Sequence, residues 1–187
     1  NAVPSQLAAP GNFIWFDLVT DDVAASRSFY GALFGWTFRS TGSSASDYTV
    51  VSLGQRDIGG MLRPEAAVAP RARWISLMSV TDPSAAAQLT VARGGKVLVA
   101  PAAVPHRGTH ALLADAEGAV FGVLRSSTGD PVDTPVPDGD FFWVDLFSRD
   151  PARAAAFYRE LAGYEVYHSE LEAPGGTRLV LAAGGLA

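Results

Sequence analysis

The stretch FIWFDLVTDDVAASRSFYGALFGWTF, Phe13 to Phe38, returns without a gap as FFWVDLFSRDPARAAAFYRELAGYEV, Phe141 to Val166. Phe, Trp, Asp, Leu, Asp, Phe, Tyr, Leu and Gly fall in register between the copies. A repeat of this kind means a duplicated architecture, to be read in units. In the first copy Phe13 to Val19 alternates and is aromatic-rich, which predicts a strand with two differently buried faces. Asp21 and Asp22 offer an N-cap, and the run to Phe34 sets Phe29, Tyr30, Leu33 and Phe34 on one helical stripe before Gly35 stops it. Ile14, Phe16 and Leu18 share the strand face that suits this stripe; Trp15, Asp17 and Val19 share the other. Trp36 to Arg39, Tyr48 to Leu53 and Asp57 to Arg63 read as further strands, with turns at Gly42 to Ser46 and Gly54 to Arg56. The unit is βαβββ.

The pattern recurs more faintly downstream. Trp74 to Val80 reads as a strand, and Asp82 caps a helix with Pro83 at its first position. Gly94 and Gly95 end that helix; Lys96 to Val99, His110 to Ala114 and Ala119 to Arg125 then close the module. Residues 13–125 are therefore expected to form one domain of two modules, 13–63 and 73–125. Residues 126–140, SSTGDPVDTPVPDGD, are rich in Pro, Asp and Gly without apolar periodicity and read as a linker. Residues 141–187 begin a third module, with Asp150 as cap, Pro151 at the helix start and a third strand at Thr177 to Leu181. Its fourth strand and its partner module are missing from the pattern. This half-domain is expected to pack on a symmetry mate or on the first domain, or to be part of a longer chain.

Composition narrows the function classes. With 187 residues and 48% hydrophobic content the chain can bury a good core. Net charge is −5, and the single Lys96 stands among arginines spread along the sequence, which argues against a nucleic-acid partner. No apolar run is long enough to span a bilayer. The absence of cysteine excludes disulfides, thiolate metal sites and a Cys nucleophile. The small, polar stretch NAVPSQLAAPGN, residues 1–12, reads as a disordered lead or a cloning scar. A cytoplasmic location is the expectation, with an exported or lipoprotein origin as the alternative reading of the Asn start.

Paired βαβββ modules, Asp22 and Asp150 each seven residues before an FY pair, the FYGALFGW stretch and the D-x-x-G turn at Asp115 to Gly118 resemble the vicinal oxygen chelate superfamily. That group contains glyoxalase I, the bleomycin-resistance proteins and the extradiol dioxygenases. The chain closely resembles the tandem, four-module glyoxalase/bleomycin-resistance-like proteins of bacteria, whose repeats also carry W-x-D-L and LFGW. The resemblance implies an α+β fold in which paired modules form a cup-shaped mixed sheet, with a second, incomplete domain after it. In the superfamily's metal enzymes, His, Glu or Gln on the first and fourth strands of each module hold the ion. Those positions fall here on Trp15, about Gly60, about Ile75, Gly122 and, in the third module, Trp143. None supplies a lone pair suited to a divalent cation, so no cofactor is expected.

His106, His110 and His168 show no metal-ligand spacing; His106 and His168 read as exposed, and His110, opening a strand, is a candidate ligand contact. Trp15 either floors a binding pocket with Asp17 as polar anchor, or plugs the space that a metal would occupy. Gly60 and Gly122 are expected to leave volume opposite it. Tyr48 is a candidate for the pocket rim, Arg63 a weaker one for an anionic group, and Asp22 and Asp150 are helix caps. No G-x-S-x-G, phosphate loop or dinucleotide fingerprint is present.

The expected function is metal-free binding of a small amphipathic or aromatic molecule at Trp15, Asp17, Tyr48, Gly60, His110 and Gly122. One alternative is a metal-dependent glyoxalase or dioxygenase-type enzyme; another is an interaction or scaffold protein that self-associates through its modules.

Overall fold

The first copy of the repeat builds its predicted elements. The computed structural model describes residues 10–42, 48–64, 72–104, 107–131, 135–168 and 179–182. Strand β1 is Phe13–Val19, and the Asp22 side chain accepts from Ala25 N–H to cap α1, Val23–Phe34. Gly35 ends that helix in the left-handed region with φ 70°. An antiparallel meander follows in β2 (Thr37–Ser40), β3 (Thr49–Leu53) and β4 (Arg56–Leu62), and β4 returns to lie parallel to β1. A Cβ added at Gly59 would sit 2.3 Å from the Phe16 carbonyl oxygen, so glycine is what lets β4 close on β1.

The second module gives β5 (Arg73–Ser79), α2 (Pro83–Ala92), β6 (Lys96–Val104), β7 (Gly108–Ala114) and β8 (Val120–Ser126). Asp82 caps α2 by accepting from Ser84 and Ala85 N–H, with Pro83 in the first turn. From the third module come α3 (Pro151–Ala162) and the antiparallel pair β9 (Glu165–His168) and β10 (Leu179–Ala182). Among the described residues no helix is long and apolar enough to cross a membrane.

The chain divides into two compact units that do not follow the repeat boundaries. One comprises Ile14–Leu77 with Val132–Val144, in strand order β2-β3-β4-β1. Its core is Leu18, Trp36, Val51, Ile58 and Met61. Phe141 stacks on Phe16 with ring centroids 3.9 Å apart, Trp36 Nε1 donates to Gly139 O at 2.6 Å, and Arg56 pairs with Asp140. The far end of the predicted linker is thus packed down, and it covers the face of β1 assigned to the helix stripe.

The other unit comprises Asn1–Phe13, Met78–Pro131 and Asp145–Ala187, with β8-β7-β6 in order. Its core joins Ala86 and Ala87 of α2, Leu113, Phe121 and Val123 of the sheet, and Phe157 and Tyr158 of α3. Helix α3 is fixed by three further ties. Tyr158 Oη donates to Asp115 Oδ2 at 3.1 Å, while Asp115 Oδ1 accepts from Glu117 and Ala119 N–H at 2.9 Å each. The Glu117 carboxylate accepts from Arg149 and Asp150 N–H, and Arg93 pairs bidentately with Glu160 at 2.7 Å. The C-terminal half-module therefore contributes its helix to the core of the second module.

Several expectations need correction. The first strand of the third module does not form: residues 141–147 carry no strand ladder, and Phe142 and Phe147 are 77% and 94% exposed. In the first module β1 is held by the fourth strand, β4, and no fourth strand follows β10 among the described residues. The α1 stripe is packed only in part: Tyr30 meets Trp36 and Trp74, whereas Phe29, Leu33 and Phe34 are 60%, 56% and 41% exposed and α1 has no fully buried residue. The end of the predicted lead is structural: Gly11 N–H and Ser79 N–H donate to Ser79 O and Asn12 O respectively, and Tyr164 Oη donates to Gly11 O. Asp130, placed in the linker by its surroundings, is buried and accepts from Ser79 Oγ at 2.5 Å. Strand β6 runs on to Val104, through Pro101, as an edge strand with two register shifts. His106, and the first two residues of the strand expected over Thr177 to Leu181, lie outside the described residues.

Two measurements test this construction. Burial pushes the Tyr164 hydroxyl up to about 12 and raises that of Tyr158 further, where the adjacent Asp115 carboxylate adds to the effect. Raised phenol values stabilise the fold in full below the unfolded value near 10 and lose that contribution as pH rises through the folded one. Chemical unfolding across about pH 9 to 12 is expected to show a loss of about 2–3 kcal/mol from Tyr164 alone. Tyr164→Phe should flatten that slope, and an unchanged slope would remove the assignment. Gly59→Ala should cost about 1–3 kcal/mol in urea unfolding, because the methyl meets backbone that cannot yield cheaply; a neutral result would mean that β4 does not approach β1 this closely.

Candidate functional site

Parallel pairing of β1 with β4 sets Asp17 directly opposite Gly60, and alternation puts Trp15 on the same face one pleat away. Tyr48 stands immediately before β3, whose Val50 is the other neighbour of Gly60. Its ring therefore reaches diagonally over the glycine toward β1. A Cβ added at Gly60 would lie 1.8 Å from Tyr48 Oη and 2.0 Å from Cζ. The end of the Tyr48 ring thus occupies the space that a side chain at position 60 would take.

The three polar groups close a triangle. Trp15 Nε1 donates to Asp17 Oδ1 at 2.9 Å and to Tyr48 Oη at 2.7 Å, and Tyr48 Oη donates to Asp17 Oδ1 at 2.5 Å. Asp17 is buried, whereas Trp15 and Tyr48 are half-buried, so solvent reaches the rim of the cluster but little of the carboxylate. The backbone of Tyr48 is tied through its carbonyl, which accepts from the Thr41 N–H at 2.9 Å and from the Thr41 hydroxyl at 3.0 Å. Three of the residues singled out from the sequence are in mutual contact, and Gly60 is the gap that admits one of them.

His110 and Gly122 belong to the other unit. Strand parity puts them on one face of β7 and β8, with His110 opposite Leu124 and Leu112 opposite Gly122. The alternate residues Ala111, Leu113, Phe121 and Val123 face the helices, so the His110 face is the helix-free one. Arg63 is exposed just beyond β4. Sequence reasoning passed over a recess of about 320 Å³ lined in part by Ser79, Thr81, Arg125 and Asp130. The signal was absent, because Asp130 sits among turn formers that read as linker.

The resemblance would place metal ligands on the first and fourth strands of each module. The first- and fourth-strand positions carry Trp15, Gly60, Ile75 and Gly122, none of which offers a suitable donor. Among the described residues no group of three or more His, Cys, Asp or Glu is placed to hold an ion.

Comparison with known proteins agrees with this architecture. Residues 12–54 match the family model described as bleomycin resistance protein-like N-terminal. A Mycobacterium tuberculosis protein named as a glyoxylase, CFP32, is 35% identical over 116 residues, spanning 62% of this chain and 44% of that protein. The anthracycline biosynthesis protein DauV of a Streptomyces species is 31% identical over 169 residues, spanning 83% of this chain and 62% of its own length. The chain thus covers only about half of the curated relatives it matches. Among solved structures, a variant of homoprotocatechuate 2,3-dioxygenase from B. fuscum superposes with a TM-score of 0.62 at 15% identity, covering 99% of this chain and 54% of the dioxygenase. A bleomycin-resistance-like segment, a glyoxylase-named relative and a dioxygenase-like fold together support membership of the vicinal oxygen chelate superfamily.

Proposed function

We propose that this protein binds a small, flat, amphipathic or aromatic molecule on the Trp15 face of β1 and does so without a metal. The observation that carries the reading is the replacement of metal-binding positions by a Trp and a Gly, with a hydrogen-bonded Trp15, Asp17 and Tyr48 cluster built across them. An indole offers area for stacking, and the buried carboxylate offers one polar anchor. The name of the Streptomyces relative, which refers to anthracycline biosynthesis, adds weight to an aromatic ligand. His110, beside Gly122 on the helix-free face of the other unit, is proposed as a separate ligand contact.

The superfamily also contains metal enzymes, and the glyoxylase name of the mycobacterial relative makes that the second reading. Against it, no group of three or more His, Cys, Asp or Glu is placed to hold an ion among the described residues. A third reading, assembly through the modules, is decided by the oligomeric state.

Native mass spectrometry of the intact protein tests all three. The expected protomer carries an organic adduct, and Trp15→Ala weakens its retention by about 30-fold, the loss typical of truncating a Trp anchor. His110→Ala is expected to weaken it less, by about threefold to tenfold, as for a peripheral contact. Stoichiometric Zn, Ni, Mn or Fe would overturn the metal-free reading, and a bare oligomer would favour assembly.

A further inference from the structure

We propose that the group recognised on the Trp15 face is a hydroxyl carried on an aromatic ring, and that the Tyr48 side chain is an internal stand-in for it. This rests on the binding reading above and names its ligand class.

The argument is one of donors and acceptors. Trp15 Nε1–H can only donate, and the Asp17 carboxylate can only accept. Both converge on one oxygen, Tyr48 Oη, at 2.7 and 2.5 Å. A group placed there must accept from the indole and donate to the carboxylate at the same time. A hydroxyl does both. A ketone or ether oxygen accepts from Trp15 but gives Asp17 nothing; an ammonium pairs with Asp17 but opposes the indole N–H; a carboxylate meets Asp17 as a like charge.

Shape narrows the class further. The hydroxyl end of the tyrosine ring lies in the volume that the missing Gly60 side chain leaves, with Cζ at 2.0 Å and Cε1 at 2.7 Å from where a Cβ would stand. Only a thin, flat end carrying the oxygen in its plane enters that slot. The slot also opens at the rim, since Trp15 and Tyr48 are half-buried. A hydroxyaryl ligand that replaces the Tyr48 ring preserves both hydrogen bonds, so exchange loses little. One without the hydroxyl removes a donor from a buried carboxylate, a discrimination of about 10- to 100-fold at a partly solvated site.

The test uses the wild-type protein with 2-naphthol and 2-methoxynaphthalene, which share a ring system while only the first can donate. Binding is read from the Trp15 indole N–H signal in NMR, assigned with Trp15→Phe. The expected result is that 2-naphthol binds at least tenfold tighter. The preference should collapse in Asp17→Asn, and Tyr48→Ala should bind 2-naphthol more tightly than wild type because the internal competitor is gone. Equal affinity for the two naphthalenes would overturn the hydroxyl assignment and leave the binding reading standing. Tighter binding of 2-naphthol that is unchanged in Tyr48→Ala would overturn the stand-in role. If neither probe moves the Trp15 signal in wild type or in Tyr48→Ala, both this inference and the aromatic binding reading fall.

Discussion

The pairing of a first strand with the fourth strand of its own module is the constraint from which the rest follows. In the first module that pairing is parallel and close, and Gly59 and Gly60 are the two positions where the closeness would otherwise fail, one against backbone and one against a ring. The pairing brings residues separated by more than forty positions into register and so places Asp17 against Gly60. It also distinguishes one copy of the repeat from the other. FFWVDLF has the aromatic alternation of FIWFDLV, yet among the described residues no strand supplies its ladder. Strand propensity describes fitness for a half-buried pleated surface, and it produces no strand where the surface is missing.

A duplicated sequence therefore copies residues without copying their contacts. The tyrosine of the FY pair shows this most directly. Tyr30 accepts from Trp74 Nε1 at 2.9 Å and sits in an aromatic cluster with Trp36. Tyr158, its counterpart, donates to Asp115 and is buried beside Phe121. The same hydroxyl is an acceptor in one unit and a donor in the other, which a phenol permits and most side chains do not. Asp115 is the more economical device of the two. It satisfies two backbone N–H groups of its own D-x-x-G turn and still offers an oxygen to α3, and the neighbouring Glu117 holds the start of the same helix. A turn motif legible in one module thereby becomes the anchor of another.

What the sequence revealed was local. Strand β1, the capping by Asp22, Asp82 and Asp150, and the stops at Gly35 and Gly163 are written in periodicity and cap chemistry, and they appear where those rules put them. What it withheld was partnership. Phe29, Leu33 and Phe34 satisfy the helical stripe rule but remain exposed, while Phe141, which opens the second copy of the repeat, stacks on Phe16. Asp130 and Asp140 look like turn residues, and only the folded chain shows that one meets Ser79 and the other Arg56. The site divides in the same way. Trp15, Asp17 and Gly60 could be placed on one face from alternation alone, but the reach of Tyr48 across the glycine depends on the β3 and β4 register, which no pattern along the chain encodes.

That reach bears on both sequence readings of Trp15, as the floor of a pocket and as the plug of one. The indole points its N–H at an oxygen supplied from elsewhere, and the tyrosine ring end takes the space at Gly60. A buried carboxylate is costly unless donors reach it, and Asp17 draws on the indole and the phenol together. The demand belongs to Asp17 and is indifferent to which molecule owns the hydroxyl. The first module can thus hold a closed, self-satisfied surface while keeping the hydrogen-bond pattern that an incoming phenol would match. The positions where the family resemblance would place metal ligands hold the indole and the gap beneath the ring.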